Sequence, residues 1–468
     1  MSSSRILQLN AFHAKVGGAE VYMHLLADAL RDRGYTVGMF GGSPDESIDE
    51  PELRVVRREE FQPDRLIRDV ELSEQLTTFC ERFRPDLIHV HNIGQLPADF
   101  AGTIADQGVP VLQTVHEWGQ LCPNAWCVLP DGRVCEGGPG SKCMQHGCES
   151  NYPFDGRVLS AAIVRYNLIP KSFDRFLCPS QALANDLIRH GYPNVEALPL
   201  WVDVEGFGLA DGGVPEREDD HILFLGRLVK EKGVEYLVRA MPHVLERVPE
   251  ARLSIVGGGA EVEALQELAK KHRLGESVIF HGKVPHDQVK GFFARASVNV
   301  LPSIWCENSP VTCYESYIAG LPMVASDIAG LPAMVVEGET GLLAKPRDPA
   351  DLAEKIVRVL TDRELHDQLS AGCRRALEKY SRERHLTRIV EVYDELLSSP
   401  RFSRETPVPG PSTAATTDDA LDVLQRTVAE YTKVERWAID MKKHIDWIES
   451  RGGQPPSFLQ KLGRKFLS

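Results

Sequence analysis

A chain of 468 residues is too long for a single hydrophobic core and fits two domains with additions. Its 43% hydrophobic content is ordinary for a globular protein, and no run of about 18 apolar residues is present to span a bilayer. A net charge of −14 lacks the basic footprint of general nucleic-acid binding, so nucleic acid is not an expected partner.

The opening, MSSSRILQLNAF, enters a strand almost at once. It has no charged-then-apolar leader pattern, which predicts a cytoplasmic chain. Gly17 and Gly18 then separate that strand from the amphipathic stretch AEVYMHLLADALRDRG. Glycine at such a point lets the backbone approach a ligand phosphate at a helix start, although a purely structural turn reads equally well. The GxGxxG spacing of dinucleotide folds is absent, which argues against a dehydrogenase. His13 and Lys15, just before the glycines, are candidate contacts for phosphate or acceptor. TVGMFGG, PDLIHVHN, VPVLQTVHE and RFLCPS read as further buried parallel strands. His89 and His91 fit packing near a strand end, and His116 closes VLQTVHE.

Directly after His116, an insertion over 118–150 carries five of the ten cysteines. It leaves the carboxyl end of a strand and is expected to overhang a crevice. Cys122, Cys135, Cys143 and Cys148 form a candidate four-thiolate structural zinc set, with Cys127 and His146 as alternates. Tight CxxC pairs are absent, so unligated thiols and disulfides stay open beside zinc. The glycine-rich segment's need for a cross-link tips the reading towards metal, and a reducing compartment counts against disulfides.

Residues 1–200 thus read as a Rossmann-like domain and 201–220 as a linker. The pattern restarts with HILFLGR and continues through ARLSIVGGG, VIFHGKV, SVNVLPS and PMVASD, a second such domain over 221–381. Two successive α/β blocks imply two doubly wound parallel sheets facing each other across a cleft. Arg227 and Lys232 follow the first strand of the second block, where two cations and a helix N-terminus can neutralise a diphosphate without a metal. In LPSIWCENSPVTCYESYIAGLP, Glu307 falls in a loop and Glu315 inside the short helix after it. Ser309 is the expected N-cap, Pro310 the first helical residue and Gly320 the stop. Carboxylates accept hydroxyl donors, and the helix start suits phosphate. A closing helix is expected over 382–398 and a Pro/Ser/Thr linker over 399–419. The stretch 420–468 reads as an amphipathic helix with a basic tail. That helix either folds back on the body or pairs with a second copy into a homodimer, and the tail is a candidate for resting peripherally on anionic lipid at the inner membrane face.

The segments GGAEVYMHLLADALRDRGYTV, GRLVKEKGVEYLVRAM, LSIVGGGAEVEAL, VIFHGKVPHDQV and ENSPVTCYES occur in an order that resembles the retaining nucleotide-sugar glycosyltransferases of family 4, over about 1–398. The resemblance implies the GT-B fold, with 1–200 as the acceptor domain and 221–381 as the donor domain, and a nucleotide-diphosphate sugar donor with a sugar or lipid-linked acceptor. By resemblance, Arg227 and Lys232 contact the donor diphosphate, Glu315 the ribose, and Glu307 the sugar hydroxyls. Backbone near Asn308 and Ser309 takes phosphate and sugar, Gly17 and Gly18 admit the phosphates, and Lys283 and Val284 read the base. His116 sets the geometry of the donor sugar. No nucleophile or general base is clearly placed, which fits a retaining front-side displacement without a catalytic metal. One departure stands out: where family members carry GGIPE, this chain reads Ala329-Gly330-Leu331-Pro332-Ala333, without the glutamate. A nucleotide-sugar epimerase and a non-catalytic scaffold acting through the C-terminal helix are the alternatives.

Overall fold

The computed structural model describes residues 4–14, 17–57, 67–148, 156–201 and 219–399. The first sheet has eight strands: β1 (Arg5–Phe12), β2 (Thr36–Ser43), β3 (Ile48–Asp49), β4 (Leu53–Arg57), β5 (Leu87–Val90), β6 (Val111–Thr114), β7 (Arg175–Cys178) and β8 (Val195–Ala197). Their order is β3-β4-β2-β1-β5-β6-β7-β8, parallel except where the short β3 runs against β4. The second sheet has six strands: β9 (His221–Leu225), β10 (Arg252–Val256), β11 (Val278–Gly282), β12 (Val298–Leu301), β13 (Met323–Ser326) and β14 (Gly341–Ala344). Their order is β11-β10-β9-β12-β13-β14, all parallel. Helices cover both faces of a doubly wound sheet, which is why its strands read as continuous apolar runs rather than alternating ones. This is the expected fold class, two Rossmann-like parallel sheets.

In each sheet one strand marks the point where the winding reverses. β1 lies between β2 and β5, and β9 lies between β10 and β12. Loops leaving the carboxyl ends of strands diverge there and leave a crevice. The candidate residues His13, His91, His116, Arg227 and Glu307 all sit just past such strand ends.

The closing helix, Arg382–Leu397, follows the second sheet in sequence but packs on the first. Ser381 caps it by accepting from the Arg384 N–H. Its stripe of Leu386, Ile389, Val392 and Tyr393 is buried with Leu26, Leu30, Val37 and Leu177. At its edge Arg388 and Arg175 share Glu196 and Glu395. The chain therefore crosses back and ties the two halves together.

The helix Val311–Ala319 starts differently from expectation. Pro310 occupies the N-cap position and no side chain caps the helix, because the Ser309 hydroxyl is engaged with the Tyr314 phenol instead. Gly320 ends it as expected, with φ of 57° and the Leu321 N–H reaching back to the Ser316 carbonyl at 2.8 Å. Most of the expected 201–220 linker, the 399–419 linker beyond Ser399 and the whole 420–468 segment, with the dimer and lipid readings placed on it, lie outside the described residues. Among the described residues no helix is long and apolar enough to cross a membrane.

Candidate active site

The wall expected to take the donor, the donor wall below, is built from the loops after β9 and β12. Glu307 is 5% exposed, and its Oε1 lies 2.5 Å from Lys232 Nζ and accepts from Ser303 Oγ at 2.7 Å. Burial pushes the carboxyl up, but Lys232 and Ser303 together hold it below the usual carboxylate range, so it is ionised at neutral pH. Lys232 reaches it because Gly233 follows. With φ of 64°, a Cβ at that position would stand 2.0 Å from the Pro302 carbonyl oxygen, so only glycine lets the two loops close. The Ile304 N–H donates to the Glu231 carbonyl at 2.9 Å and completes the seam.

Gly330 holds the same loop from behind. Its N–H donates to the Glu307 carbonyl at 2.9 Å, and a Cβ there would come within 2.6 Å of that oxygen and 2.5 Å of the Asn308 carbonyl oxygen. The stretch that lacks the family glutamate therefore serves through its backbone, by clamping Glu307.

Arg227 and Lys232 are not equivalent. Lys232 is committed to Glu307, whereas the Arg227 side chain is 65% exposed, with a loose 3.6 Å contact to Glu231. Arg227 faces the opposite wall closely enough to draw down the Glu117 carboxyl, which burial and the neighbouring Glu20 push up. Glu315, inside the helix and 6% exposed, is pushed by burial to about 7 and so sits between acid and carboxylate at neutral pH. Lys283 and Val284 follow the edge strand β11; the Lys283 stem lies against Gly258 in the neighbouring loop, and Val284 packs on the cluster of Leu223, Val289 and Phe293.

The wall expected to face the acceptor, the acceptor wall below, is built from the loops after β1, β5 and β6. Gly17 is the N-cap of the helix Gly18–Asp32, and space is open around the position a Cβ would take at Gly18. His13 is tied to His24, whose Nε2 meets the His13 carbonyl at 2.7 Å, while Lys15 lies outside the described residues. His116 continues a buried relay. Gln8 Oε1 is 2.6 Å from His91 Nε2, and His91 Nδ1 is 3.3 Å from His116 Nε2. An amide oxygen only accepts, so His91 donates from Nε2 and accepts at Nδ1 from His116. Burial keeps His91 neutral and pulls His116 down to about 4. His116 is thereby left with Nδ1 as an acceptor. His89, fully buried within β5, bridges Tyr393 and Thr114 at 2.8 Å each, so it and His91 do more than pack a loop.

The walls touch at Asn308. Its Nδ2 donates to the His116 carbonyl at 2.7 Å, and its Oδ1 accepts from Ser180 Oγ at 2.5 Å. The cysteine segment does overhang the crevice: the Cys306 N–H donates to the Trp126 carbonyl at 3.2 Å, and Cys306 Sγ meets the Cys127 carbonyl at 3.6 Å. Among the described residues no three His, Cys, Asp or Glu side chains are grouped to hold a metal, and Cys122, Cys127, Cys135, Cys143 and Cys148 form no disulfide. Cys143 and Cys148 join Met144, Leu159 and Ile163 in a small apolar cluster, and Cys127 enters the main core. Cys122 and Cys127 share a hydrogen bond that lowers Cys122 to about 7 and raises its partner.

Sequence reasoning missed Asn92, Glu117 and Arg165, which line one recess with His91 and His116. Arg165 had a signal, a single cation on the buried face of the apolar stretch LSAAIVRYNLI. Glu117 had only its place beside His116.

Comparison with known proteins bears on family and fold. The family model described as Glycosyl transferases group 1 matches residues 213–376, and Glycosyltransferase Family 4 matches residues 16–205. The sulfoquinovosyl transferase SQD2 of Arabidopsis thaliana is 27% identical over 336 residues, covering 68% of this chain and 58% of that protein, so the chain spans little more than half of the plant relative. A D-inositol 3-phosphate glycosyltransferase of Corynebacterium jeikeium is 26% identical over 419 residues, covering 81% of this chain and 92% of that protein. Among solved structures, Anabaena HepE in complex with UDP and glucose aligns over 84% of this chain and 100% of its own, with a TM-score of 0.60 and 17% identity, a likeness of fold.

Proposed function

The chain belongs to the group 1 glycosyltransferases with the GT-B fold, and from that premise we propose that it transfers a sugar from a nucleotide-diphosphate donor to a hydroxyl of a glycan, glycolipid or small-molecule acceptor. Retention of the anomeric configuration and catalysis without a metal are part of the same reading. The observation that carries it is the buried Glu307–Lys232 pair, on a loop whose Asn308 bonds the His116 carbonyl.

The roles follow from the chemistry of each group. Arg227, Lys232 and the start of the helix Val311–Ala319, with backbone at Asn308 and Ser309, offset the charge of the diphosphate as it departs. Glu307 spends Oε1 on Lys232 and Ser303 and offers Oε2 to sugar hydroxyls. Glu315 takes the ribose, Lys283 and Val284 flank the base, and Gly17 and Gly18 leave room for the phosphates. His116, neutral and with a free acceptor nitrogen, takes a hydroxyl of the donor sugar. In the reaction, the bond from the anomeric carbon to phosphate oxygen breaks and a bond to the acceptor oxygen forms on the same face. The acceptor proton leaves on the phosphate. With Glu307 bound to its partners, no free carboxylate is needed as a nucleophile.

The test is a thermal-shift screen with UDP-, GDP-, ADP- and TDP-sugars, since a donor at a hundred times its Kd stabilises by about 2.7 kcal/mol. One donor class is expected to raise Tm and to be turned over. A chain stabilised by none of them, or one turning over donor equally well as Glu307→Ala, sinks the reading. Solved relatives in complex with UDP make UDP-sugars the first to try.

A further inference from the structure

Asn308 sits in the loop after β12, beside Glu307, yet both ends of its side chain go to the other sheet. Its Nδ2 donates to the carbonyl of His116, past β6, and its Oδ1 accepts from Ser180 Oγ, past β7. Asn308 is 7% exposed and Ser180 4%, so water does not substitute readily for either partner. The sense of the amide is fixed, because a backbone carbonyl only accepts and Nδ2 must therefore face His116. Oδ1 then faces Ser180, whose hydroxyl donates to it and accepts the Leu183 N–H at 3.2 Å as the cap of the helix Gln181–Arg189.

This contact closes a circuit around His116. Asp186, on the helix that Ser180 caps, accepts from Trp118 Nε1 at 2.7 Å, and Trp118 follows His116 in the next loop. The loop holding His116 is thus tied on one side to Asn308 and on the other to the helix that anchors Asn308. From the donor side, the Asn308 backbone is fixed in turn: the Gly330 N–H holds the Glu307 carbonyl at 2.9 Å, and Lys232 holds the Glu307 carboxylate. Apolar surfaces slide over one another at little cost, whereas hydrogen bonds weaken steeply with distance and angle. A buried amide with one donor face and one acceptor face therefore admits a single register between the two walls.

We propose that Asn308 is a positioning residue that sets this register, so that His116 and Glu307 are presented to the same sugar while the Asn308 side chain touches no substrate. The sugar in that statement rests on the glycosyl-transfer reading; the register rests on the geometry alone. In that reading the diphosphate meets Asn308 through its backbone, which leaves the side chain to this task.

Hydrogen exchange of the full chain tests the register without any substrate. In Asn308→Ala, exchange is expected to quicken roughly 5-fold, the worth of about one hydrogen bond, on both sides of the seam, at 116–121 and 181–189 as well as 304–309. Acceleration confined to 304–309 marks a residue of local structure and overturns the proposal. Kinetics follow with the donor found by thermal shift. Asn308→Ala should lower kcat roughly 10- to 100-fold, the cost of a misplacement of about 1 Å, with donor KM held, as for an alignment felt in the transition state. A raised KM at unchanged kcat makes the side chain a substrate contact and overturns the idea. Ser180→Ala removes the other end of the same bond and serves as the second variant if Asn308→Ala does not fold. It also loses a helix cap, so it is read in a cycle with Asn308→Ala, where the cap is lost in both backgrounds and cancels. The two effects on kcat are expected to fall short of additive by about 3- to 10-fold; independent effects sink the proposal. If the wild type turns over no donor, the transfer reading fails while hydrogen exchange still decides the register.

Discussion

On the donor wall of the cleft a carboxylate and an ammonium are buried together, Glu307 with Lys232, and a serine hydroxyl completes the set. On the acceptor wall the Arg165 guanidinium is buried with, among the described residues, one long bond to the Leu96 carbonyl, in one recess with the neutral His91 and His116. The Glu307–Lys232 pair offsets its own burial cost. Arg165 carries a desolvation cost that no ion pair among the described residues offsets.

The contrast can be broken at several points. The largest effect is expected at Glu307→Ala. Transfer should fall at least ~10²–10³-fold, and urea unfolding should show a loss of about 3 kcal/mol from the stranded Lys232. Full stability in that variant would mean that the donor wall is not held by its ion pair. Next comes Gly330→Ala, which must push the Glu307 and Asn308 carbonyls aside. It should cost about 2 kcal/mol in the same melt and lower transfer, with no change at residues distant from that loop.

Acid should separate the two walls. His89 is held at about 3, far below its unfolded value, by burial and then by the neighbouring His116 and His385. It is neutral in the fold and charges on unfolding, so its contribution is complete above about 6.5 and is lost as pH falls towards about 3. Between pH 7 and 5.5 the loss is about 1 kcal/mol from His89 alone. His116 and His385 act in the same direction. Glu307, lowered rather than raised, keeps its charge across that interval. Hydrogen exchange should therefore accelerate first at Val90 and Thr114, and later at Leu301; simultaneous acceleration would contradict the distinction. The smallest effect is expected at Arg388→Ala, in a half-exposed ionic cluster outside both walls, at less than ~1 kcal/mol in a salt-dependent melt.

The donor wall was the more legible half in the sequence. Arg227, Lys232, Glu307 and Glu315 each sit near a local signal, a strand end, a glycine or a helix start, and such signals survive in one dimension. Their mutual arrangement does not. Lys232 and Glu307 are 75 residues apart, and nothing local says that one neutralises the other. Ser309 matched the cap preference, yet the Tyr314 phenol claimed its hydroxyl. The cysteines had a ligand's chemistry, yet the fold buries Cys127, Cys143 and Cys148 among apolar side chains. On the acceptor wall the relay joins Gln8 of β1, His91 after β5 and His116 after β6, and His89 adds Tyr393 of the closing helix. Four distant segments contribute, so no window of sequence displays it.

By itself, then, the sequence determined two wound α/β units, the strand ends at which ligands gather, and a set of charged residues suited to a phosphate and hydroxyls. Hydrophobic periodicity and turn chemistry are local, and they act before the chain is folded. Only the tertiary structure decided which charges are paired and which are left alone. That depends on which loops meet at the cleft, and burial there turns a weak preference for a partner into a requirement. Lys232 found Glu307, whereas among the described residues Arg165 found no carboxylate, and no window of sequence separates the two cases.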